Sequence, residues 1–158
     1  MAIYAAADGH VLRVDTPGDD TFLRGPCHRV VTFLSLVDVH VNRSPIAGTI
    51  TLLERQQGGF AATFNVAASD RNAAELVGIE GEHGRVLVRR TAGLIARRIV
   101  TWTRFGQHVD AGLKLGMLKF GSRTDVLFPL GAAQVLVKEG DYVRAGRTVI
   151  ARYHQTPS

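Results

Sequence analysis

Val137-Lys138-Glu139-Gly140-Asp141-Tyr142-Val143-Arg144-Ala145-Gly146 sets the architecture expected of this chain. Glu139-Gly140-Asp141 has the chemistry of a tight hairpin turn, and Val143 is placed to re-enter a core just beyond it. Apolar runs flank it, at residues 134–137 before and 148–152 after. Working outward, the same kind of short apolar or alternating run recurs at residues 30–36, 49–53, 61–67, 85–90 and 94–102. Pro17-Gly18-Asp19-Asp20, Gly58-Gly59, Gly81-Glu82-His83-Gly84 and Ala145-Gly146 punctuate the runs. Many short strands separated by such turns predict a mainly β chain, folded as a sandwich or barrel with few short helices. Residues 113–120 read as either a turn or a strand, because periodicity does not separate the two over so few positions.

The bulk properties narrow the classes. A chain of 158 residues, 46% of them hydrophobic, builds one domain, residues 1–158, with a real core. The formal net charge of +5 suits phosphate-bearing partners. The basic residues are scattered and lack the aromatic interleaving of single-strand binders, which favours a lipid or a small phosphate over nucleic acid. Cys27 is the single cysteine, so no internal disulfide forms and a reducing cytoplasm fits. The six histidines show no ligand spacing, and no metal site is expected. No apolar run approaches the roughly 18 residues that span a bilayer, and no signal peptide is read at the start.

The chemistry concentrates at Lys119-Phe120-Gly121-Ser122-Arg123-Thr124-Asp125-Val126. A Gly-Ser pair is ordinarily a turn. It also allows an unusual reaction, because the serine hydroxyl lies close to the carbonyl before it and glycine offers no side chain to block the approach. Attack converts the peptide into an ester, and elimination breaks the chain. The serine becomes dehydroalanine, then a pyruvoyl group that forms a Schiff base with an amine and acts as an electron sink.

Residues 116–129, Gly116-Met117-Leu118-Lys119-Phe120-Gly121-Ser122-Arg123-Thr124-Asp125-Val126-Leu127-Phe128-Pro129, resemble the self-cleavage segment of phosphatidylserine decarboxylases, closest to their short "type A" bacterial and archaeal branch. Three further blocks match in order: Ala7-Asp8-Gly9, then Asp38-Val39-His40-Val41-Asn42-Arg43-Ser44-Pro45-Ile46-Ala47-Gly48, then Thr91-Ala92-Gly93-Leu94-Ile95-Ala96-Arg97-Arg98-Ile99-Val100. Residues 133–151 also resemble half of a biotinyl/lipoyl-type barrel (a barrel-sandwich hybrid), with Ala7-Asp8-Gly9-His10-Val11 as the matching entry. The decarboxylase fold is itself a barrel-like β-sandwich, so the two resemblances agree.

The family resemblance implies roles. Ser122 becomes the pyruvoyl group and Gly121 supplies the attacked carbonyl, giving a β chain of residues 1–121 and an α chain of residues 122–158 that stay associated. Asp8 matches the aspartate that activates the serine in the long branch, although Asp-Gly is equally a preferred hairpin turn. His40 matches the histidine tied to decarboxylation and would act as a general acid; the competing reading is a histidine bonded within the sheet. Arg43 stands where the long branch has its second, triad histidine, so a literal Asp–His–Ser triad does not carry over. Arg43 and Arg123 are the favoured phosphate or carboxylate contacts. Arg97, Arg98 and Lys119 are further candidates for such contacts, with a solvated face as the competing reading, and Asp125 is placed to pair with an arginine. Asn72 sits in a block whose usual Asn-Glu-Arg run here reads Asn72-Ala73-Ala74.

The implied activity is decarboxylation of phosphatidylserine to phosphatidylethanolamine and CO2 at a pyruvoyl group. The implied partners are a phospholipid substrate and an anionic membrane surface, met from the cytoplasmic side. Short family members carry an apolar segment before Ala-Asp-Gly, whereas this sequence starts almost at the motif; a trimmed chain and a soluble member both fit. Two alternatives stand: a soluble pyruvoyl enzyme acting on a small amino acid or phosphoserine compound, and a non-cleaving barrel-like binding module. A biotin or lipoate carrier fits poorly, since Leu118-Lys119-Phe120 imitates the carrier turn badly. A homodimer is neither required nor excluded.

Overall fold

The computed structural model describes residues 1–34, 40–93, 98–119 and 121–155, and of His40 the backbone alone. The strands run in order β1 (Ala2–Tyr4), β2 (Gly9–Asp15), β3 (Asp19–Asp20), β4 (Gly25–Phe33), β5 (His40–Arg43), β6 (Gly48–Gln56), β7 (Ala74–Gly81), β8 (Gly84–Thr91), β9 (Ile99–Thr101), β10 (His108–Val109), β11 (Lys114–Leu118), β12 (Arg123–Pro129), β13 (Ala133–Val135), β14 (Tyr142–Val143) and β15 (Val149–Tyr153). A single helical turn, α1 (Val66–Ser69), interrupts them.

The mainly β expectation holds. A large curled antiparallel sheet runs β10-β6-β7-β8-β12-β4-β2-β14, with β3 attached to β4; two small sheets, β1-β15-β13 and β5-β11-β9, close against it. Alternation drives this packing. Val30, Val77, Val88 and Phe128 of the large sheet meet Ile3 and Ile150 of one small sheet and Leu115 of the other in a common core. A second, smaller cluster of Ala7, Leu34, Ala92, Ile99 and Leu118 fills the end of the barrel where the β11–β12 connection lies. Among the described residues, no helix is long and apolar enough to cross a membrane.

Two local readings change, and one left open is decided. The Glu139-Gly140-Asp141 turn forms, with the Asp141 N–H donating to the Lys138 carbonyl at 3.1 Å, but it does not close a hairpin. β13 pairs with β15 and β14 with β2, so the turn carries the chain from one sheet to another. The pairing of β14 with β2 joins the two segments that carried the barrel resemblance. Within the stretch that read as either turn or strand, Lys114–Leu118 form strand β11, and Phe120 lies outside the described residues. Residues 61–67, expected as a strand, instead form a turn leading into α1, because the Asn65 side chain caps the helix by accepting from the Ala68 N–H at 3.1 Å.

Candidate active site

Gly121 and Ser122 lie between β11 and β12, where the chain rejoins the middle of the large sheet. Arg123 is registered against Phe33 of β4 on one side and Thr91 of β8 on the other. The ladder ends in a β-bulge, Gly121 and Ser122 together facing Leu34: the Leu34 N–H donates to the Ser122 carbonyl at 2.9 Å, and the Gly121 N–H to the Leu34 carbonyl at 3.3 Å. Gly121 adopts φ 75°, a left-handed angle that costs other residues about 1–2 kcal/mol. The Gly121 carbonyl accepts the Thr63 hydroxyl at 2.5 Å. A Cβ placed on Gly93 would stand 2.2 Å from that same oxygen, so only glycine lets this backbone come so near. Ser122 has no exposed surface, and its Oγ has no hydrogen-bond partner among the described residues. Leaving a buried hydroxyl unpaired costs about 1–3 kcal/mol, which makes the arrangement a place to look for chemistry.

Residues 61–70 grip both neighbours of Ser122. Thr63 holds Gly121, while Val66 O, Ser69 Oγ and Asp70 Oδ1 take the Arg123 guanidinium at 2.9, 2.6 and 2.5 Å. Asp125 takes the remaining two donors, Nε at 3.1 Å and Nη2 at 2.8 Å. Asn72 fixes this bracket to the opposite wall. Its Oδ1 accepts from the Ala61 N–H, and its Nδ2 donates to the carbonyls of Ala61 and Ala92. Burial works against the Arg123 charge, but Asp125 and Asp70 outweigh it and raise its pKa above the usual arginine range. Burial also pushes Asp70 up, and the bonds and charges of Arg123 and Arg29 overcome this, holding it below the usual carboxylate range.

The other face of β12 meets the small sheet β5-β11-β9. Asn42 Nδ2 donates to Thr124 Oγ1 at 3.1 Å, and Asn42 Oδ1 accepts from Arg90 Nε at 2.9 Å. Ser122 continues the alternation of Thr124, which places it on this face, toward β5.

The residues singled out from sequence fall as follows. His40 begins β5 opposite Leu118, at the end of the small sheet next to the Gly121–Ser122 segment; its side chain lies outside the described residues. Arg43 is at the far end of β5, opposite Lys114 and about 10 Å further along, where its guanidinium donates to the Gly112 carbonyl at 2.8 Å. Asp8 sits at the same sheet end as Ser122 but two strands across, with β4 between them, and its carboxylate accepts the Ala145 N–H at 2.7 Å. Arg123 requires correction as a substrate contact. It has no exposed surface, and all five of its N–H donors are spent inside the protein. Asp125 pairs with it as expected. Arg98 is exposed, as is Lys119, and Arg97 lies outside the described residues. Sequence reasoning passed over Thr63, Asn42 and Arg90. Thr63 carried no local signal, since its partner is 58 residues away; Asn42 stood inside a quoted block and could have been found there.

Together these features describe a β barrel holding an internal Gly–Ser peptide, its carbonyl bonded to a hydroxyl and its serine oxygen unpaired among the described residues. A sequence model of the phosphatidylserine decarboxylase family matches residues 1–151. The chain is 42% identical over 154 residues to the phosphatidylserine decarboxylase proenzyme of Symbiobacterium thermophilum, covering 97% of this chain and 71% of that protein. It is 40% identical to the corresponding proenzyme of Carboxydothermus hydrogenoformans over 151 residues, covering 96% and 71%. The Granulibacter bethesdensis proenzyme is 44% identical over 151 residues, covering 93% and 62%. The chain belongs to the phosphatidylserine decarboxylase family, a family of carboxy-lyases.

Proposed function

We propose that this chain cuts itself between Gly121 and Ser122 and, with the group so formed, decarboxylates phosphatidylserine to phosphatidylethanolamine. The observation that carries the reading is the buried Ser122 Oγ, without a hydrogen-bond partner among the described residues, beside a carbonyl that is already held in place. Ser122 Oγ adds to the Gly121 carbonyl carbon as its proton leaves. The C–N bond then breaks, the nitrogen takes up a proton, and an ester remains. Loss of the Ser122 α-proton expels the Gly121 carboxylate and leaves dehydroalanine, from which water releases ammonia. The residues present fit the resulting pyruvoyl group, because the position is buried and the glycine at 93 leaves room beside residue 121. That group, when formed, supplies the electron sink for loss of CO2.

The chain's own residues do the rest. The bracket of residues 61–70 belongs to the β chain and holds Arg123 of the α chain, which supports the two chains staying associated after cleavage. His40, at the end of β5 nearest the site, is the residue proposed to deliver a proton to the product carbon. Asp8 acts on this reading by fixing the 144–148 turn against the sheet end rather than by touching Ser122. The substrate is met at the surface of an anionic membrane, toward which the basic chain is attracted.

The test is the denatured intact mass of wild type beside Ser122→Ala. Two chains of roughly 13 and 4 kDa, scaled from residue counts, are expected from wild type alone, the smaller one modified by hydroxylamine. A wild-type chain that stays whole after prolonged incubation rejects the proposal and leaves a non-cleaving binding module.

A further inference from the structure

The Thr63 hydroxyl is aimed at an atom that changes charge during the reaction proposed above, and this inference rests on that reading. When Ser122 Oγ adds to the Gly121 carbonyl, the carbonyl oxygen becomes an oxyanion. The Thr63 hydroxyl already donates to that oxygen at 2.5 Å, the short end of the O–H···O range. Thr63 is 1% exposed, so little water competes for the oxygen on that side. The donor is also held in advance. The 62–65 turn closes with an Asn65 N–H to Ala62 carbonyl bond of 3.1 Å, and Asn72 pins Ala61, two residues before Thr63. Asn72 simultaneously holds Ala92, the residue before Gly93, whose missing side chain makes room for the same oxygen. Donor and cradle are therefore set by one buried asparagine, 2% exposed.

We propose that Thr63 is a catalytic residue of the chain-cleavage step, its hydroxyl stabilising the oxyanion formed at Gly121. A fixed donor in a site closed to water is worth most where charge develops, and removing one such donor typically slows a reaction roughly 100- to 1,000-fold. The proton that Ser122 Oγ loses is balanced by the one the Ser122 nitrogen takes up as the C–N bond breaks; Thr63 keeps its own proton and donates a hydrogen bond throughout. When the C–N bond breaks, the oxygen returns to a carbonyl, now of the ester, on the same hydroxyl.

The experiment follows newly synthesised chains from a cell-free pulse and measures the intact 158-residue species against time by mass. Thr63→Val keeps the shape and removes the donor; it should slow cleavage by roughly 100- to 1,000-fold. Thr63→Ser keeps the donor and should cleave at close to the wild-type rate. Cleavage of the Val variant at the wild-type rate, or of the Ser variant as slowly as Val, overturns the proposal. If circular dichroism shows the Val variant unfolded, Thr63→Ser against Thr63→Ala makes the same comparison, since those two differ only by the hydroxyl; equal rates then overturn it. A wild type that never cleaves defeats the proposed function and this inference together, whereas a cleaving wild type matched by Thr63→Val defeats only the inference.

Discussion

Arg123 and Arg90 stand on neighbouring strands of the same sheet, one residue apart in register, and neither has any exposed surface. They point to opposite faces and are treated in opposite ways. Arg123 meets two carboxylates, Asp125 and Asp70, which more than offset its burial and raise its pKa. Arg90 meets one, Glu75, at 2.7 Å, and otherwise leans on Asn42 and the Val100 carbonyl. There burial wins, and the guanidinium pKa is lowered. The difference follows what each must hold. Arg90 ties the large sheet to β5 and β9 of a separate small sheet, and Arg90, Glu75, Asn42 and Val100 all lie on the same side of the Gly121–Ser122 bond. Arg123 ties residue 123 to the 61–70 bracket across the bond proposed to break, where only non-covalent contacts would remain after cleavage. Charge is concentrated where, on the proposed function, covalent continuity would be lost.

The largest effect should come from the first of the pair. Arg123→Met takes from fully buried Asp125 two hydrogen-bond donors and leaves it the charges of Arg29, at 4.0 Å, and of Arg89. Breaking a buried pair in this way costs about 3–5 kcal/mol, read as a lowered urea midpoint, and any cleaved protein should lose its small chain on gel filtration. Arg90→Met should cost less, about 1–3 kcal/mol. Glu75 keeps the Thr101 hydroxyl at 2.5 Å and Arg55 Nε at 3.6 Å, so its charge is not abandoned. If Arg90→Met proves the costlier change, the contrast drawn here is wrong.

The same region shows how far sequence carries. Strands β4, β6 and β8 of the large sheet were legible from their short runs rich in Val, Ile and Leu, and Gly121-Ser122 because its chemistry is local. The bracket was not. Residues 61–67 have the apolar content of a strand, and only Asn65 and Asn72 turn them away from one, by bonds to Ala68 and to Ala61 and Ala92. Arg123 looked like a substrate contact because it adjoins Ser122. Nothing in its neighbourhood along the chain announces Asp70 or Ser69, more than 50 residues away, as the groups that absorb it. β7 was missed because Gly78 and Glu80 blur its alternation, and it is recognisable only as the partner of β6 and β8. Asn65→Ala tests the bracket directly. Loss of the cap should cost about 1 kcal/mol and slow cleavage by loosening Thr63 and Arg123 together, whereas a strand-like segment would tolerate it.

The smallest expected effect separates the two clusters by pH. Asp70 is the one carboxylate of the pair of clusters that reaches solvent, with 37% of its side chain exposed against 2% for Glu75 and none for Asp125. Its pKa is held below the usual range in the folded chain, so its contribution to stability is fully present above the unfolded value of about 3.9. The contribution fades as pH falls through the lower folded value, when protonation removes the charge shared by Arg123 and Arg29. Solvent screening at a site this exposed keeps the loss to about 1 kcal/mol or less. Urea midpoints taken from pH 5 down to about pH 2 should therefore fall more steeply for wild type than for Asp70→Asn, which has no proton to gain there. Parallel slopes would mean that Arg123 is held by Asp125 and the α1 groups alone, and that the second carboxylate adds nothing to the anchor.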